Sequence, residues 1–205
     1  MATARIQPLS ASQLHDPATG DENQKVVYTV WMKSLVFNGH GCTIYGQDGR
    51  VAYRVDNYAC TRSREVFVMD TGGKTLIKLL LKKNFGFFST WQGYSCCDGD
   101  DAAADQQPWF SVRKEYRVLK NGRAAVVRVA GGGKAYTIDG ALRGSEYYRV
   151  SDDAEGASVA EVGRKRTASG LALGEDVLTL TVGPAADRLL VVGLVVVCGL
   201  ISRCI

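Results

Sequence analysis

The sequence predicts an all-β protein, either a sandwich or a barrel, with one buried helix at its end. Short segments of alternating apolar and polar residues recur along the chain, and glycine-containing turns separate them at intervals of about 8–12 residues. This rhythm is typical of β-sandwiches and β-barrels. The pattern breaks in the stretch 184–205, where residues 189–202 carry no charged side chain. We therefore expect the strands to wrap around this last segment.

Bulk composition bounds the class of protein. The chain has 205 residues, of which 46% are hydrophobic and 22% charged, and this is ordinary for a single β domain. We expect a poorly ordered arm over residues 1–24 and one domain over residues 25–205. The net charge of +4 is compatible with an anionic partner but does not require one. No apolar segment of the secretory type opens the chain, so we expect a cytoplasmic or nuclear protein, or one peripheral to a membrane, and not a secreted one.

Motifs for catalysis, cofactors or metals are not found in the sequence. The six cysteines form no C-x-x-C pair, and the two histidines, His15 and His40, give no zinc-ligand spacing. No serine lies in a G-x-S-x-G context. We therefore expect a protein that is not an enzyme, with no catalytic residue, no cofactor and no metal, and with free thiols in a reducing compartment. The three tryptophans are expected in the core or on strand faces, so a nucleic-acid partner is not expected.

The first half of the chain is a series of hairpins. Residues 25–36 alternate as a strand does. Strands over 42–45 and 51–55 flank Asp48-Gly49, a strong hairpin signal because glycine readily adopts positive φ. Strands over 65–69 and 75–81 flank Gly72-Gly73 in the same way.

The second half continues the same plan. Residues 85–97 are aromatic-rich and indicate one or two strands, and the acidic segment 98–107 indicates an exposed loop. The remaining segments that predict strands are 109–119, 124–129, 135–138, 143–150, 157–165 and 177–182. Together with those of the first half, they give about eleven or twelve strands.

The terminal segment is predicted to be a helix in the core. A helix that is apolar all round must lie in a protein interior or in lipid, and about 14 apolar residues are too few to span a bilayer. Gly183 is expected to be the N-cap, with Pro184 at the first helical position, Asp187 in the first turn and Arg203 in the last. The β-branched residues of this segment favour a strand, so a strand is the alternative to the predicted helix. The helical core stripe is expected to contain Leu190, Leu194, Val197 and Ile201.

Two long segments resemble the plant LURP-one-related family. They are YTVWMKSLVFNGHGCTIYGQDGRVAYRVDNYA at 28–59 and DVLTLTVGPAADRLLVVGLVVVCGLI at 176–201. The W-x-K-S-L-x-F-N-G and Y-R-V-D-N-Y motifs are the most specific, and the resemblance extends over about residues 25–205. It implies a fold similar to the C-terminal domain of tubby proteins and to phospholipid scramblases. In that fold a closed barrel of twelve mostly antiparallel strands surrounds a central hydrophobic helix.

The resemblance also implies a function in binding or regulation. The family is associated with plant defence, and tubby domains bind phosphoinositides as membrane-tethered regulators. We therefore expect a non-enzymatic module for acidic phospholipid headgroups or protein partners. The alternative is a scramblase-like lipid translocator, or a protein anchored by its C-terminal stretch. Basic clusters at strand ends can hold phosphate groups, although they also occur as solvated strand termini. The candidate residues are Lys82, Lys83, Arg164, Lys165 and Arg166.

Overall fold

The computed structural model describes residues 24–32, 40–57, 65–83, 89–96, 107–115, 123–131, 133–140 and 147–202. The arm expected over 1–24 lies outside these residues except for Gln24. Within these ranges, twelve strands precede one helix. The strands are β1 Val26–Trp31, β2 His40–Tyr45, β3 Val51–Asn57, β4 Glu65–Met69, β5 Thr75–Lys83, β6 Ser89–Ser95, β7 Phe110–Lys114, β8 Arg123–Val129, β9 Ala135–Gly140, β10 Tyr147–Asp152, β11 Ser158–Arg164 and β12 Val177–Val182, and the helix is α1 Arg188–Ser202.

The twelve strands form one closed antiparallel barrel. Each strand pairs with its neighbours in sequence, and β12 closes the sheet on β1 with Val26 opposite Val182 and Trp31 opposite Val177. Closure confirms the barrel and rules out the sandwich. Because the strands run alternately up and down, every odd-numbered strand ends at one rim, which we call the upper rim. The turns 46–50, 70–74 and 183–187 lie at the opposite, lower rim.

Glycine turns set the hairpins. In the β2–β3 turn the amide of Gly49 donates to the carbonyl of Gly46 at 3.1 Å, and that of Gly46 donates to Arg50 at 2.8 Å. Gly49 has φ 75°, as the last residue of a three-residue hairpin loop requires. The β4–β5 turn repeats these two bonds around Gly73, whose φ is 86°. The hairpins expected at Asp48-Gly49 and Gly72-Gly73 are therefore both present.

The helix begins later than the sequence suggested. Asp187 is the N-cap, because its Oδ1 accepts the amide of Leu190 at 3.0 Å. The expectation of Gly183 as N-cap and Pro184 as first helical residue was wrong. Ala185 has φ 63°, a left-handed conformation that ends any helical path from Pro184. Arg203, expected in the last turn, lies outside the described residues.

The helix fills the axis of the barrel. Twelve strands about 4.8 Å apart and tilted by about 40° close at a radius of roughly 12 Å. A helix with its side chains is about 10–12 Å across, which leaves room for one layer of side chains from the wall. All residues from Leu190 to Gly199 are buried, whatever side of the helix they occupy. In the expected stripe Leu190, Leu194 and Val197 are buried, while Ile201 is only partly buried near the upper rim.

One aromatic ring fixes how the helix approaches the wall. Phe110 of β7 is 1% exposed and lies between two glycines. A Cβ added to Gly93 of β6 would be 2.3 Å from the Phe110 ring, and one added to Gly193 of α1 would be 2.9 Å from its Cζ. Both contacts are closer than carbon atoms tolerate, so a side chain at either position would require the Phe110 ring to shift.

Two cysteines are held protonated by the core. Cys42 of β2 and Cys198 of α1 are both buried and free. Burial raises the pKa of each thiol to about 12, and the negative charge of Asp56 adds to the effect at Cys42. The contact of Tyr148 with Cys198 lowers the pKa of that thiol, against the larger effect of burial.

Replacing Leu194 with alanine is expected to destabilise the protein by about 2–5 kcal/mol, because the 1% exposed side chain leaves a cavity in a filled lumen. The same substitution at Leu171, which is 69% exposed, is the matched control and should cost less than about 0.5 kcal/mol. Urea unfolding of both variants measures the difference. Equal costs at the two positions would contradict a helix packed inside the barrel.

Gly193→Ala is expected to destabilise the protein by about 1–3 kcal/mol through overpacking against Phe110. Helix propensity alone predicts the opposite sign, a gain of about 1 kcal/mol. In a Phe110→Leu background the cost should fall, and a double-mutant cycle from thermal or urea unfolding measures this coupling. A stabilising Gly193→Ala substitution in the wild-type background would refute the contact.

The buried thiols predict alkaline sensitivity. A folded-state pKa raised from 9.0 to about 12 gives stability that is fully present below about pH 9 and is lost as the pH rises toward 12. We expect the free energy of unfolding to fall over this range. Site-resolved thiol labelling of the native protein near pH 8 should modify Cys96, which is only partly buried, well before Cys42 and Cys198. Labelling of Cys198 at the rate of the unfolded chain would contradict its place in the core.

Candidate functional site

The two basic clusters expected from the sequence lie at the same rim but far apart. Lys82 and Lys83 end β5, and Arg164 ends β11, so both clusters are at the upper rim. Around the barrel, six strand-to-strand steps separate β5 from β11 in either direction. The clusters therefore face each other across a barrel roughly 24 Å wide. One headgroup cannot contact both.

The three consecutive basic residues of the second cluster are also divided. Arg164 continues the inward-facing positions of β11, and its Nη2 is 3.2 Å from Oε1 of Glu175. Lys165 reaches across the outer face of the barrel, where its Nζ donates to Oγ1 of Thr29. Arg166 donates from Nη1 to the carbonyl of Gly170 at 3.1 Å. Alternation along an extended chain explains this division, because neighbouring side chains face opposite sides.

Lys165 borders a groove on the outer wall. The groove has a volume of about 420 Å³ and is open to solvent. Its wall on one side is β1, and on the other it is the end of β2 with the following turn. Thr29 faces outward because its neighbours Tyr28 and Val30 are buried inside the barrel. The lining residues are Val27, Thr29, Tyr45, Gly46, Gln47, Gly49 and Lys165.

Strand register extends this surface sideways. Thr29 is opposite Tyr45 on one side and Thr179 on the other. Thr179 is opposite Gly163, which in turn is opposite Tyr147 of β10. This row, which we call the outer row, crosses five strands on the outside of the barrel. Its middle members are small, so the surface between the two tyrosines is shallow and accessible.

The segment beside Lys165 is firmly attached to the barrel. The amide of Lys165 donates to the carbonyl of Val177 at 2.9 Å. Asp176 accepts the indole N–H of Trp31 through Oδ2 at 2.9 Å, and its carbonyl accepts the amide of Met32 at 2.7 Å. These bonds hold the upper end of β1 against the start of β12, so the fold fixes the backbone from which Lys165 reaches Thr29.

The inside of the barrel offers little space for a ligand. An internal gap of about 10 Å³ lies beside Leu190 and Leu194, too small for anything but about one water molecule. At the lower end, the rings of Tyr28 and Tyr53 lie 6.1 Å apart at an angle of 58°. Burial raises the pKa of both phenols, and the nearby charge of Arg188 acts in the opposite direction.

The chemistry available at the groove is that of binding. It combines an ammonium group, two hydroxyls and backbone atoms of a glycine-containing turn. Within the described part of the chain, no group of three His, Cys, Asp or Glu side chains is placed to hold a metal ion. Among those same residues, no helix has the length and apolar character needed to cross a membrane.

Sequence reasoning found Lys165 but missed its neighbours. Thr29 and Tyr45 are separated from Lys165 by more than a hundred residues, and only the closed register brings them together. Local patterns identify which residues face outward, but they do not give the pairing of β1 with β12 on which the groove depends.

Comparison with known proteins covers almost the whole barrel. The family model described as LURP-one-related matches residues 26–199. Protein LURP-one-related 11 of Arabidopsis thaliana is 38% identical over 180 residues, which cover 85% of this chain and 77% of the relative. Protein LURP-one-related 4 of the same plant is 34% identical over 201 residues, covering 97% of this chain and 87% of the relative.

A solved structure supports the fold. A crystal structure of another Arabidopsis thaliana protein superposes with a TM-score of 0.63 and covers 89% of this chain and 97% of its own. Its sequence is 16% identical, so the likeness concerns the fold alone.

Proposed function

The chain belongs to the LURP-one-related family, and we propose that it is a non-enzymatic binding module for acidic phospholipid headgroups such as phosphoinositides. The binding site is the groove beside Lys165 on the outer wall. In this proposal the protein is a regulator in defence-related signalling that attaches peripherally to a membrane. Protein partners can then join it at the membrane surface.

The observation that carries the proposal is the position of Lys165. Its ammonium group bonds the neutral hydroxyl of Thr29 at the edge of an open groove. A phosphate oxygen that replaces or shares this hydroxyl gains a charge-assisted hydrogen bond. The hydroxyls of Thr29 and Tyr45 can donate to further phosphate oxygens. The lysine is held in place before binding, which lowers the entropic cost of recognition.

The packing of the helix supports peripheral attachment to a membrane over translocation or anchoring by the helix. The apolar side chains of α1 already contact the inner wall of the barrel, and ten consecutive residues are buried there. A translocator or an anchor built from this helix would first have to withdraw it and expose the lumen. Binding through the outer wall leaves the core intact.

Lys165→Glu is expected to reduce binding to vesicles of phosphatidylcholine and phosphatidylinositol phosphates by about thirtyfold at low salt. Exchanging one cation for an anion near an acidic bilayer removes about 2 kcal/mol of attraction at low salt, and added salt reduces the effect. Vesicle co-sedimentation at low and high ionic strength measures the change.

Lys82→Glu combined with Lys83→Glu is the control. It changes the net charge by twice as much, at the same rim, but on the far side of the barrel. If only the Lys82 and Lys83 variant loses binding, the site lies on the far side of the barrel and not at the Lys165 groove. Equal loss in both variants would mean that only overall charge matters, and that the groove is not a site.

A further inference from the structure

We infer that the segment 165–174 is a membrane-inserting hairpin that places Leu171 and Leu173 in the interface of an acidic bilayer while Lys165 binds a headgroup. This inference rests on the proposed function and adds to it a second, apolar contact and a defined orientation on the membrane. We call the segment the apolar hairpin.

The apolar hairpin is a built structure. Arg166 and Ala172 form an antiparallel bridge. The amide of Thr167 donates to the carbonyl of Leu171 at 2.8 Å, and that of Leu173 donates to Lys165 at 2.8 Å. These bonds continue β11 beyond the upper rim and pair it with a second short arm, which the turn at 174–176 joins to β12, so the leucines are presented by an ordered backbone.

The tip of the hairpin is also closed by specific bonds. The amide of Gly170 donates to the carbonyl of Thr167 at 2.9 Å, and Gly170 has φ 82°. This is the same three-residue loop that the β2–β3 and β4–β5 turns adopt. Oγ1 of Thr167 also accepts the amide of Leu171 at 3.2 Å. The turn needs glycine at 170, but nothing in these bonds requires leucine at 171 or 173.

Register places the cation and the leucines on one face. Because Arg166 pairs with Ala172, Lys165 is opposite Leu173 and Thr167 is opposite Leu171. Directly opposed side chains in an antiparallel pair share a face, and alternate residues along each arm share it as well. Lys165, Leu173 and Leu171 therefore project from the same side, which is the side of the Lys165 groove.

Exposed apolar residues are concentrated in this sector. Among the described residues, the large hydrophobic side chains that are exposed are Leu171 at 69%, Leu173 at 38% and Tyr147 at 43%. Two of them are on the apolar hairpin, and Tyr147 lies in the outer row on the neighbouring strand β10. Single exposed apolar residues are common, but a group beside a cation is typical of an interaction surface.

The charge of Lys165 favours an acidic bilayer as the occupant. The cations here are Arg149, Arg164, Lys165 and Arg166, and the carboxylates are Glu161, Glu175, Asp176 and Asp139, which is opposite Arg149. Glu161 pairs with Arg149, Glu175 pairs with Arg164, and Asp176 accepts the indole of Trp31. Lys165 bonds a neutral hydroxyl. Leucines flanked by a cation at an exposed tip match a lipid interface, which is anionic at its surface and apolar beneath.

The first experiment removes the apolar contact alone. The Leu171→Ser, Leu173→Ser double variant should lose on the order of tenfold in affinity for vesicles of phosphatidylcholine and phosphatidylinositol phosphates at high salt, where the electrostatic contribution is screened. At low salt it should keep the salt-sensitive part of its binding. Ala172→Ser, on the opposite face of the same arm, is the matched control and should bind as the wild type does.

The second experiment measures insertion directly. The Leu171→Trp variant bound to vesicles that contain brominated lipid should lose fluorescence, because bromine quenches an indole only at close range. Thr71→Trp, in the β4–β5 turn at the lower rim, is the control and should keep its fluorescence. Quenching is read relative to wild-type protein, which accounts for the three native tryptophans.

The outcomes separate this inference from the proposed function. If the leucine variant binds as tightly as the wild type at high salt, or if Leu171→Trp is not quenched, the inserting hairpin is refuted while the headgroup site can stand. If Lys165→Glu and the wild type bind equally, the headgroup site fails. If wild-type protein ignores these vesicles, both fail. Self-association in sedimentation that the leucine variant abolishes would assign the hairpin to a second copy of the chain and refute the inference.

Discussion

The packing of α1 inside the closed sheet is the interaction on which the whole structure depends. A wall of twelve strands has a radius of roughly 12 Å, which is the distance at which one helix and one layer of wall side chains fill the interior. Fewer strands would leave no room for the helix, and an empty lumen would forfeit packing contacts on every side. The number of strands and the apolar character of the last segment are thus mutually required. Phe110, held between Gly93 and Gly193, shows how closely the two surfaces must match.

A filled interior leaves the outer wall as the surface available for the proposed binding. Sheets that enclose a ligand keep their lumen open, but here α1 occupies the axis, and the gap beside Leu190 and Leu194 is only about 10 Å³. The wall then acts as a rigid scaffold, and the two-residue alternation of each strand decides which side chains face outward from it. Thr29 and Thr179 face outward because the residues before and after each of them face the core. The same alternation separates Arg164 from Lys165, so that one basic run supplies an ion pair at the rim and a cation on the outer wall.

Local chemistry made most of the fold predictable. Asp48-Gly49 and Gly72-Gly73 mark hairpins because glycine alone enters left-handed backbone cheaply, and the helix was readable from its lack of any polar face. The helix cap was misplaced because Ala185 adopts a conformation that alanine rarely takes, and no propensity indicates it. The division of Arg164 and Lys165 could have been predicted from strand alternation. The outer row could not, because it depends on β12 meeting β1, whose bond between Trp31 and Asp176 joins residues 145 positions apart.

Folding does not explain the two exposed leucines of the apolar hairpin. Its backbone bonds and the glycine at 170 account for the turn, and polar residues at 171 and 173 would satisfy them equally well. Exposed leucines contribute nothing to the core and increase the risk of association. In the proposed mode, a soluble anion would engage only the charge of Lys165, whereas a bilayer would engage the charge and the leucines together. Salt weakens the electrostatic contact and leaves the apolar one, so this mode would favour a membrane over a phosphate in solution.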